Sequence, residues 1–441
     1  MSLINKFLGW IKNEPTDNVP DIRFGRYSDA YKTKQQYEAW DKAISHFDKK
    51  EYLESYRAFF DYLNDPKLNN VVVKEEEGVL HFAITQGSKI INGTASSEKV
   101  IAETNVAKCE RLNVGFMRRL VEMNYGLLYS RFALLDDVIC LKFDTSVLDG
   151  SPDKLYFALK EVAVKADKHD DLLLNEFSML KPINHDHIED LPETEKAIKF
   201  KYLHKWINEA NDLVRSLDQN KYAAAIAHIL LSVAYKIDYL IAPEGSLMDK
   251  IEKIHQAFYA QDKSSIIQRN VKIQTILAEI LKFDQAKIYE ELYNTKATFG
   301  FNAVKTPAFI HELMGEELKS VEWHLEQKDQ KILPYLLEYI PVHSNFYYGL
   351  PKPTKLLFQL IISLLNADYF EALGFSKTYY DTENNKLEEG QIKQKLKSIQ
   401  KEAVTKYPHF NLEFNKLKWD NRTQFSFSLL KHMTELNYSK N

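Results

Sequence analysis

From about residue 182 to the C-terminus, apolar residues recur almost only at helical spacing, and this run of about 260 residues is the strongest constraint on the fold. ETEKAIKFKYLHKWINEANDLVRSL and KYAAAIAHILLSVAYKIDYLI form a first helix pair. Ser246-Leu-Met-Asp249 reads as a capping-box start for the next helix. SSIIQRNVKIQTILAEILKF and DQAKIYEELYNTKATF follow. At Thr306–Pro307 an N-cap residue precedes a proline in the first helical position, opening a helix to about Gln327. ILPYLLEYI, TKLLFQLIISLLNADYFEAL, EEGQIKQKLKSIQKEAVTKY and TQFSFSLLKHMTEL complete the set, with a polar surface loop at 378–390. No a/d pattern persists over three heptads, so the helices do not form a coiled coil. The longest apolar run, Tyr222–Tyr235, is about 14 residues, short of the roughly 20 that span a bilayer, and reads as a buried core helix.

Upstream the period changes. Residues 13–33 are rich in Pro, Asp and Asn and read as a linker. QQYEAWDKAISHF and the stretch from Tyr52 to Leu63 then pair as a helical hairpin of tetratricopeptide type. Ala43 and Ser55 are its small residues, and Lys50 stands where a turn glycine is usual. No neighbouring repeat follows, so one pair makes no solenoid. NNVVVKEEE, VLHFAITQ, KIINGTAS and EKVIAETNVAK carry β-branched residues with partial alternation, and predict three antiparallel strands or a little more over 71–107. A helix over about 111–126, with Leu112, Phe116, Leu120 and Met123 on one face, precedes a hairpin turning at Asp136–Asp137. Ser151–Pro152 opens a long helix with Asp153 in its first turn. The expected fold is thus an α+β N-terminal module, a helical hairpin and a small antiparallel sheet with flanking helices, followed by a large all-α domain. The boundaries are 1–33 for an amphipathic segment and linker, 34–181 for the module and 192–441 for the helical domain, with a sub-boundary near 300.

Three stretches of the module carry a likeness: MNYGLLYSRFALLDD, where a strand directly follows a helix; the acidic turn Asp136–Asp137 followed by VICLKFDTSV; and LYFALKEVAVKADKHDDLL with its Ala166–Asp167 step. Residues 75–178 resemble the type III secretion chaperone-like fold and, within it, the bacterial YbjN-type family. The resemblance covers about a quarter of the chain and rests on pattern, not on a catalytic signature. It implies polypeptide binding without chemistry, usually as a dimer, so a homodimer is one expectation. Dedicated secretion chaperones are small and strongly acidic. This chain carries the long helical domain besides, and its 58 Lys and Arg against 62 Asp and Glu leave a net charge of only −4.

The composition narrows the chemistry. Glycine numbers 14 in 441 residues, and only Gly245, Gly300, Gly315, Gly349, Gly374 and Gly390 fall after 182. No G-x-x-x-x-G-K-[ST], G-x-G-x-x-G or G-x-S-x-G occurs, which argues against phosphate-cradling loops and the serine elbow, and no cofactor is expected. Cys109 and Cys140 are too few for a disulfide framework and point to reduced thiols in the cytoplasm. His311-Glu312 begins like a zinc-protease helix, but Gly315 stands where the second histidine is needed. His185 and His187, with Glu189 and Asp190 nearby, are the one metal-like group; a solvated acidic linker explains them as well, and no metal site is assigned. Lys393, Lys395, Lys397 and Lys401 read as a solvated helix face rather than a phosphate contact, so no nucleic-acid partner is expected. Tyr347, Tyr348, Tyr379 and Tyr380 add aromatic surface near loops, as a binding patch or as packing over helix ends.

The function expected from these readings is non-enzymatic binding of another polypeptide in the bacterial cytoplasm, in a chaperone-like or adaptor role, with no integral membrane segment. Leu3, Phe7 and Trp10, on one face of an N-terminal amphipathic helix, are the candidate partner contacts. Two rivals stand beside this reading. One is a helical-repeat scaffold. The other is an enzyme assembled from dispersed helical residues, for which three of the helical histidines, such as His204, His228, His255 and His324, would converge with a carboxylate in a closed pocket.

Overall fold

The computed structural model describes residues 20–183, 188–376 and 378–440. These fall into two compact units: Tyr27–Asp190 with Tyr293–Phe301, and residues 20–26 with 191–292 and 302–440. The first is an α+β module and the second is almost wholly helical, the class expected from the sequence. Leu3, Phe7, Trp10, His185 and His187 lie outside the described residues.

The first unit opens with α1 (Lys34–Asp48) and α2 (Tyr52–Leu63). Thr33 and Gln36 form a reciprocal capping box at the start of α1. At the turn Lys50 takes φ 63°, the left-handed conformation for which glycine is the usual residue. The Ser55 hydroxyl donates to the Ala43 carbonyl at 2.7 Å, so the two small residues mark the line along which the helices meet. Strands β1 (Val71–Glu76), β2 (Val79–Gln86), β3 (Lys89–Ala95) and β4 (Lys99–Cys109) follow, then α3 (Val114–Tyr125), β5 (Arg131–Leu135), β6 (Val138–Ser146) and α4 (Pro152–Glu176). The sheet is antiparallel in the order β1-β2-β3-β4-β6-β5. The sheet opens with four strands, within the expected three or a little more, because Lys99–Cys109 alternates in burial as far as Val106 and pairs with β3 and β6. Gly78 (φ 77°) and Asp136 (φ 53°) supply the left-handed residues of two hairpin turns.

Helix α4 begins as expected, with the Ser151 hydroxyl accepting from Lys154 N–H and Pro152 in the first turn. Its inner face contributes Leu155, Leu159, Val162 and Ala166 to a core with Phe60, Phe82, Val100 and Leu141. Farther along, α4 fastens the β2–β3 turn by charge. Asp167 accepts from the Ser88 backbone N–H at 2.7 Å, and Asp170 pairs with Lys89 at 2.8 Å, both groups fully buried. Gly87 sits against this lock at φ 56°, where an added Cβ would lie about 2 Å from the Asp167 carboxylate. The Tyr293–Phe301 segment completes the module: the Gln86 side-chain oxygen accepts from the backbone N–H groups of Thr298 and Phe299 at 3.1 and 2.9 Å.

The second unit packs α5 (Glu193–Arg215), α6 (Ala223–Lys236), α7 (Gly245–Tyr259), α8 (Ile266–Ile280), α9 (Gln285–Glu290), α10 (Pro307–Glu326), α11 (Leu333–Tyr347), α12 (Lys352–Leu365), α13 (Ala367–Ala372), α14 (Glu389–Ala403) and α15 (Arg422–Met433) around one apolar core. Helix α6 is the central element and runs on through a π-turn to Ile241, farther than its apolar run suggests. By length and composition Ala223–Ile241 would span a membrane, yet 89% of its most apolar window is buried in the protein. The residues that interrupt the run, Lys236 and Asp238, are themselves buried and paired: Lys236 with Glu338 at 2.9 Å, and Asp238 with Arg26 at 2.7 Å. The start of α7 departs from the capping-box expectation. Ser246 donates its hydroxyl to Glu291, whose other oxygen accepts from Leu247 N–H at 2.7 Å, so the cap is supplied from a distant residue.

Candidate functional site

Helix α3 carries two apolar faces. Phe116, Leu120 and Met123 point into the core, as the sequence predicts, whereas Leu112 before the helix is exposed. On the opposite side Val114, Met117, Val121 and Tyr125 recur at i, i+3, i+7 and i+11 and stand open to solvent. Val121 is 68% exposed and Tyr125 96%, and Leu128 just beyond the helix is 86% exposed. Leu112, Val114, Met117 and Val121 line a shallow apolar depression, with Arg118 and Glu122 on its rim. Arg118 forms no ion pair among the described residues, while neighbouring Arg119 is held by Glu176 at 3.3 Å.

This face is rigidly mounted. The Asn113 side-chain oxygen caps the helix by accepting from Phe116 N–H at 2.8 Å. Asn124 ties the other end to β5: its oxygen accepts from Phe132 N–H at 2.6 Å and its amide donates to the Phe132 carbonyl at 3.1 Å. The Glu161 carboxylate on α4 accepts from the backbone N–H groups of Leu128, Tyr129 and Ser130 and from the Ser130 hydroxyl, all within 2.9 Å. Burial alone would raise the Glu161 pKa, but these donors hold it below the usual carboxylate range. The loop presenting Leu128 is therefore fixed from beneath. Beside it β5 pairs only with β6, which leaves its outer edge unpaired by any described strand.

The helical unit holds a second concentration of polar groups. His228 from α6, His255 from α7 and His343 from α11 gather with Tyr235, Tyr259 and Tyr339. Glu317 of α10 joins them 3.6 Å from His228. The Tyr235 hydroxyl lies 2.7 Å from His255 Nδ1, and the Tyr259 and Tyr339 hydroxyls are 3.0 Å apart. Burial, before any neighbouring charge, lowers the imidazole pKa values to about 4 for His228 and His255 and about 3 for His343. Burial, aided by Glu316, pushes the Glu317 carboxyl up to about 7.

Of the four histidines named for the enzyme reading, which needed three to converge, His228 and His255 meet here. His204 packs on Phe200, and His324 contacts Asp329 at 2.9 Å and stacks on Tyr222. His343, which completes the group, carries no sequence signal beyond its place on an apolar helix. Among the described residues no three His, Cys, Asp or Glu side chains are placed to hold a metal ion. His311 lies against Tyr438, and Lys393 pairs with Glu389 at 2.7 Å and lies over Trp419. Tyr347 and Tyr348 flank the histidine cluster, and Tyr380 sits under Arg422. The outer stripe of α3 was legible as a second helical periodicity, hidden because the inner face alone accounts for an amphipathic helix. No known family model matches the chain, and no curated protein matches it.

Proposed function

We propose that the chain is a non-enzymatic cytoplasmic polypeptide-binding protein, chaperone-like or adaptor-like, that takes a partner on the outer face of α3. The observation that carries the reading is the open stripe Val114, Met117, Val121 and Tyr125 on a helix clamped at both ends. Its i, i+3, i+7 spacing suits an amphipathic helical segment, whose side chains would interdigitate with it. Arg118 on the rim favours an acidic residue at the partner's edge, and the outer edge of β5 offers backbone groups beside the stripe. Burying the stripe and Leu128 would contribute roughly 5–8 kcal/mol before the costs of association, enough for a reversible complex. Membership of the type III secretion chaperone-like fold belongs to the same proposal, supported by the order of α3, β5, β6 and α4. The cytoplasmic setting is supported by the free thiols of Cys109 and Cys140.

A photo-crosslinking residue placed at Val121, with Lys74 on β1 as the control position, tests the proposal in living cells. A discrete polypeptide adduct from position 121 that disappears on Met117→Asp supports it. The same adducts from both positions, or adducts indifferent to Met117→Asp, refute it.

A further inference from the structure

Residues 297–300 lie in the sheet module as a bound peptide would. The chain enters at the exposed Lys296 and leaves at the exposed Phe301, and the four residues between them are buried. They belong to no helix or strand, and the nearest ladder contact is the single bridge between Lys296 and Gly87. Side chains of the module read their backbone instead. The Gln86 side-chain oxygen accepts from the N–H groups of Thr298 and Phe299, and its amide nitrogen donates to the Phe299 carbonyl at 3.4 Å. One side-chain amide thus does for this segment what a neighbouring strand does in strand addition. Asp29 accepts from Gly300 N–H at 2.9 Å, and the Asn70 amide donates to the Ala297 carbonyl at 3.5 Å.

Three positions are read by their side chains as well. The Thr298 hydroxyl donates to the Thr85 carbonyl and accepts from the Asn70 amide, both at 2.9 Å. Phe299 is fully buried against the half-buried Tyr156, with ring centroids 5.5 Å apart. At Gly300 an added Cβ would come within 2.5 Å of the Asp29 carboxylate and 2.9 Å of the Asp29 backbone nitrogen, so this position admits glycine alone. Gln86 is only 1% exposed, and every hydrogen bond of its side chain among the described residues goes to this segment. Without the segment a buried amide would be left unpaired. Its match is another extended backbone, since a helix has already used its own N–H groups.

We propose that this slot, built from Asp29, Asn70, Thr85, Gln86 and Tyr156, is a peptide-recognition site that Thr298–Gly300 hold closed in cis, and that an extended Thr-Phe-Gly segment of a partner polypeptide enters it by displacing them. The backbone hydrogen bonds supply affinity, and the Thr, Phe and Gly positions supply selectivity. Tethered in the same chain, the resident segment competes at an effective concentration on the order of millimolar, which silences the site towards weak peptides. The slot shares no residue with the outer face of α3, and its test does not depend on that face.

Fluorescence anisotropy of the full chain with the labelled nonapeptide YNTKATFGF, the sequence of residues 293–301, tests the site. Phe299→Ala takes the anchor from the resident segment and leaves the slot intact, so this variant should bind the peptide at least about tenfold more tightly than the native chain. Adding Gln86→Ala should return binding to the native level, and a peptide with alanine for its first phenylalanine should bind at least about tenfold more weakly. A folded Phe299→Ala chain that binds no more tightly than the native one, or whose binding ignores Gln86→Ala, overturns the proposal. Amide exchange of the native chain decides the matter even if Phe299→Ala fails to fold. Release of the segment from a persisting sheet should leave the Thr298 and Phe299 N–H groups at least about tenfold less protected than the ladder amides of β2 and β3. Equal protection means that the segment leaves only when the module unfolds, and overturns the proposal equally.

Discussion

The buried pair between Lys89 and Asp170 predicts a large, non-additive loss of stability. Lys89 Nζ lies 2.8 Å from Asp170 and donates to the carbonyls of Val106 at 3.3 Å and Ile183 at 3.2 Å. Asp170 also accepts the Ser88 hydroxyl at 2.6 Å. Lys89→Met takes the ammonium away from the buried carboxylate, and Asp170→Leu takes the carboxylate away from the buried ammonium. Removing one partner of such a pair costs about 3–5 kcal/mol, a large share of the 5–15 kcal/mol that holds an ordinary domain. The double variant removes both charges together, so it should cost less than the sum by at least about 2 kcal/mol. Native-state amide exchange of β2, β3 and β4 reads this in the first unit, with α11 as an internal standard for the second. Either single variant costing under about 1 kcal/mol, or strictly additive effects, would refute the reading of this pair as the lock between α4 and the β2–β3 turn.

Other consequences are as direct. Gly87→Ala forces a Cβ into the Asp167 carboxylate at positive φ, and should destabilise the module by about 2 kcal/mol or more in denaturant titration. Glu161→Ala removes the acceptor for three backbone N–H groups, so exchange at Leu128, Tyr129 and Ser130 should quicken by about 1–3 kcal/mol of protection while β4 is unchanged. Val121→Asp on the open stripe should change stability by less than about 0.5 kcal/mol, yet weaken partner binding by tenfold or more in a titration with the crosslinked partner. The depressed imidazole of His343 means that the unfolded chain binds its proton first. Stability of the helical unit should therefore fall as pH drops from about 6.5 towards 3, and His343→Gln should flatten that slope by up to about 1.4 kcal/mol per pH unit in urea midpoints followed by circular dichroism.

Local signals carried the architecture well because they have local causes. Ser151–Pro152 caps α4, Thr306 caps α10, and Asp136 turns the β5–β6 hairpin, all within a few residues of the signal. What escaped the sequence depends on distant partners. Ser246 looked like a cap but gives its hydroxyl to Glu291 instead. Lys236 and Asp238 lie just past the longest apolar run, but each is neutralised by a residue more than 100 positions away. Thr298 and Phe299 sit in an apparently helical half of the chain, yet Gln86 holds them in the sheet module. The site followed the same division. The inner face of α3 was visible as periodicity; that no described element covers its outer face is a property of the fold alone. The histidine cluster was visible only as a list of helical histidines, because convergence depends on how four helices pack.

Hydrogen exchange of the full chain, alone and with the polypeptide captured at Val121, bears most directly on the docking face. The account predicts new protection in Val114–Tyr125 and Leu128–Ser130 and little change elsewhere in the first unit. Protection appearing on the α1–α2 hairpin or along β1, with α3 exchanging as before, would contradict it.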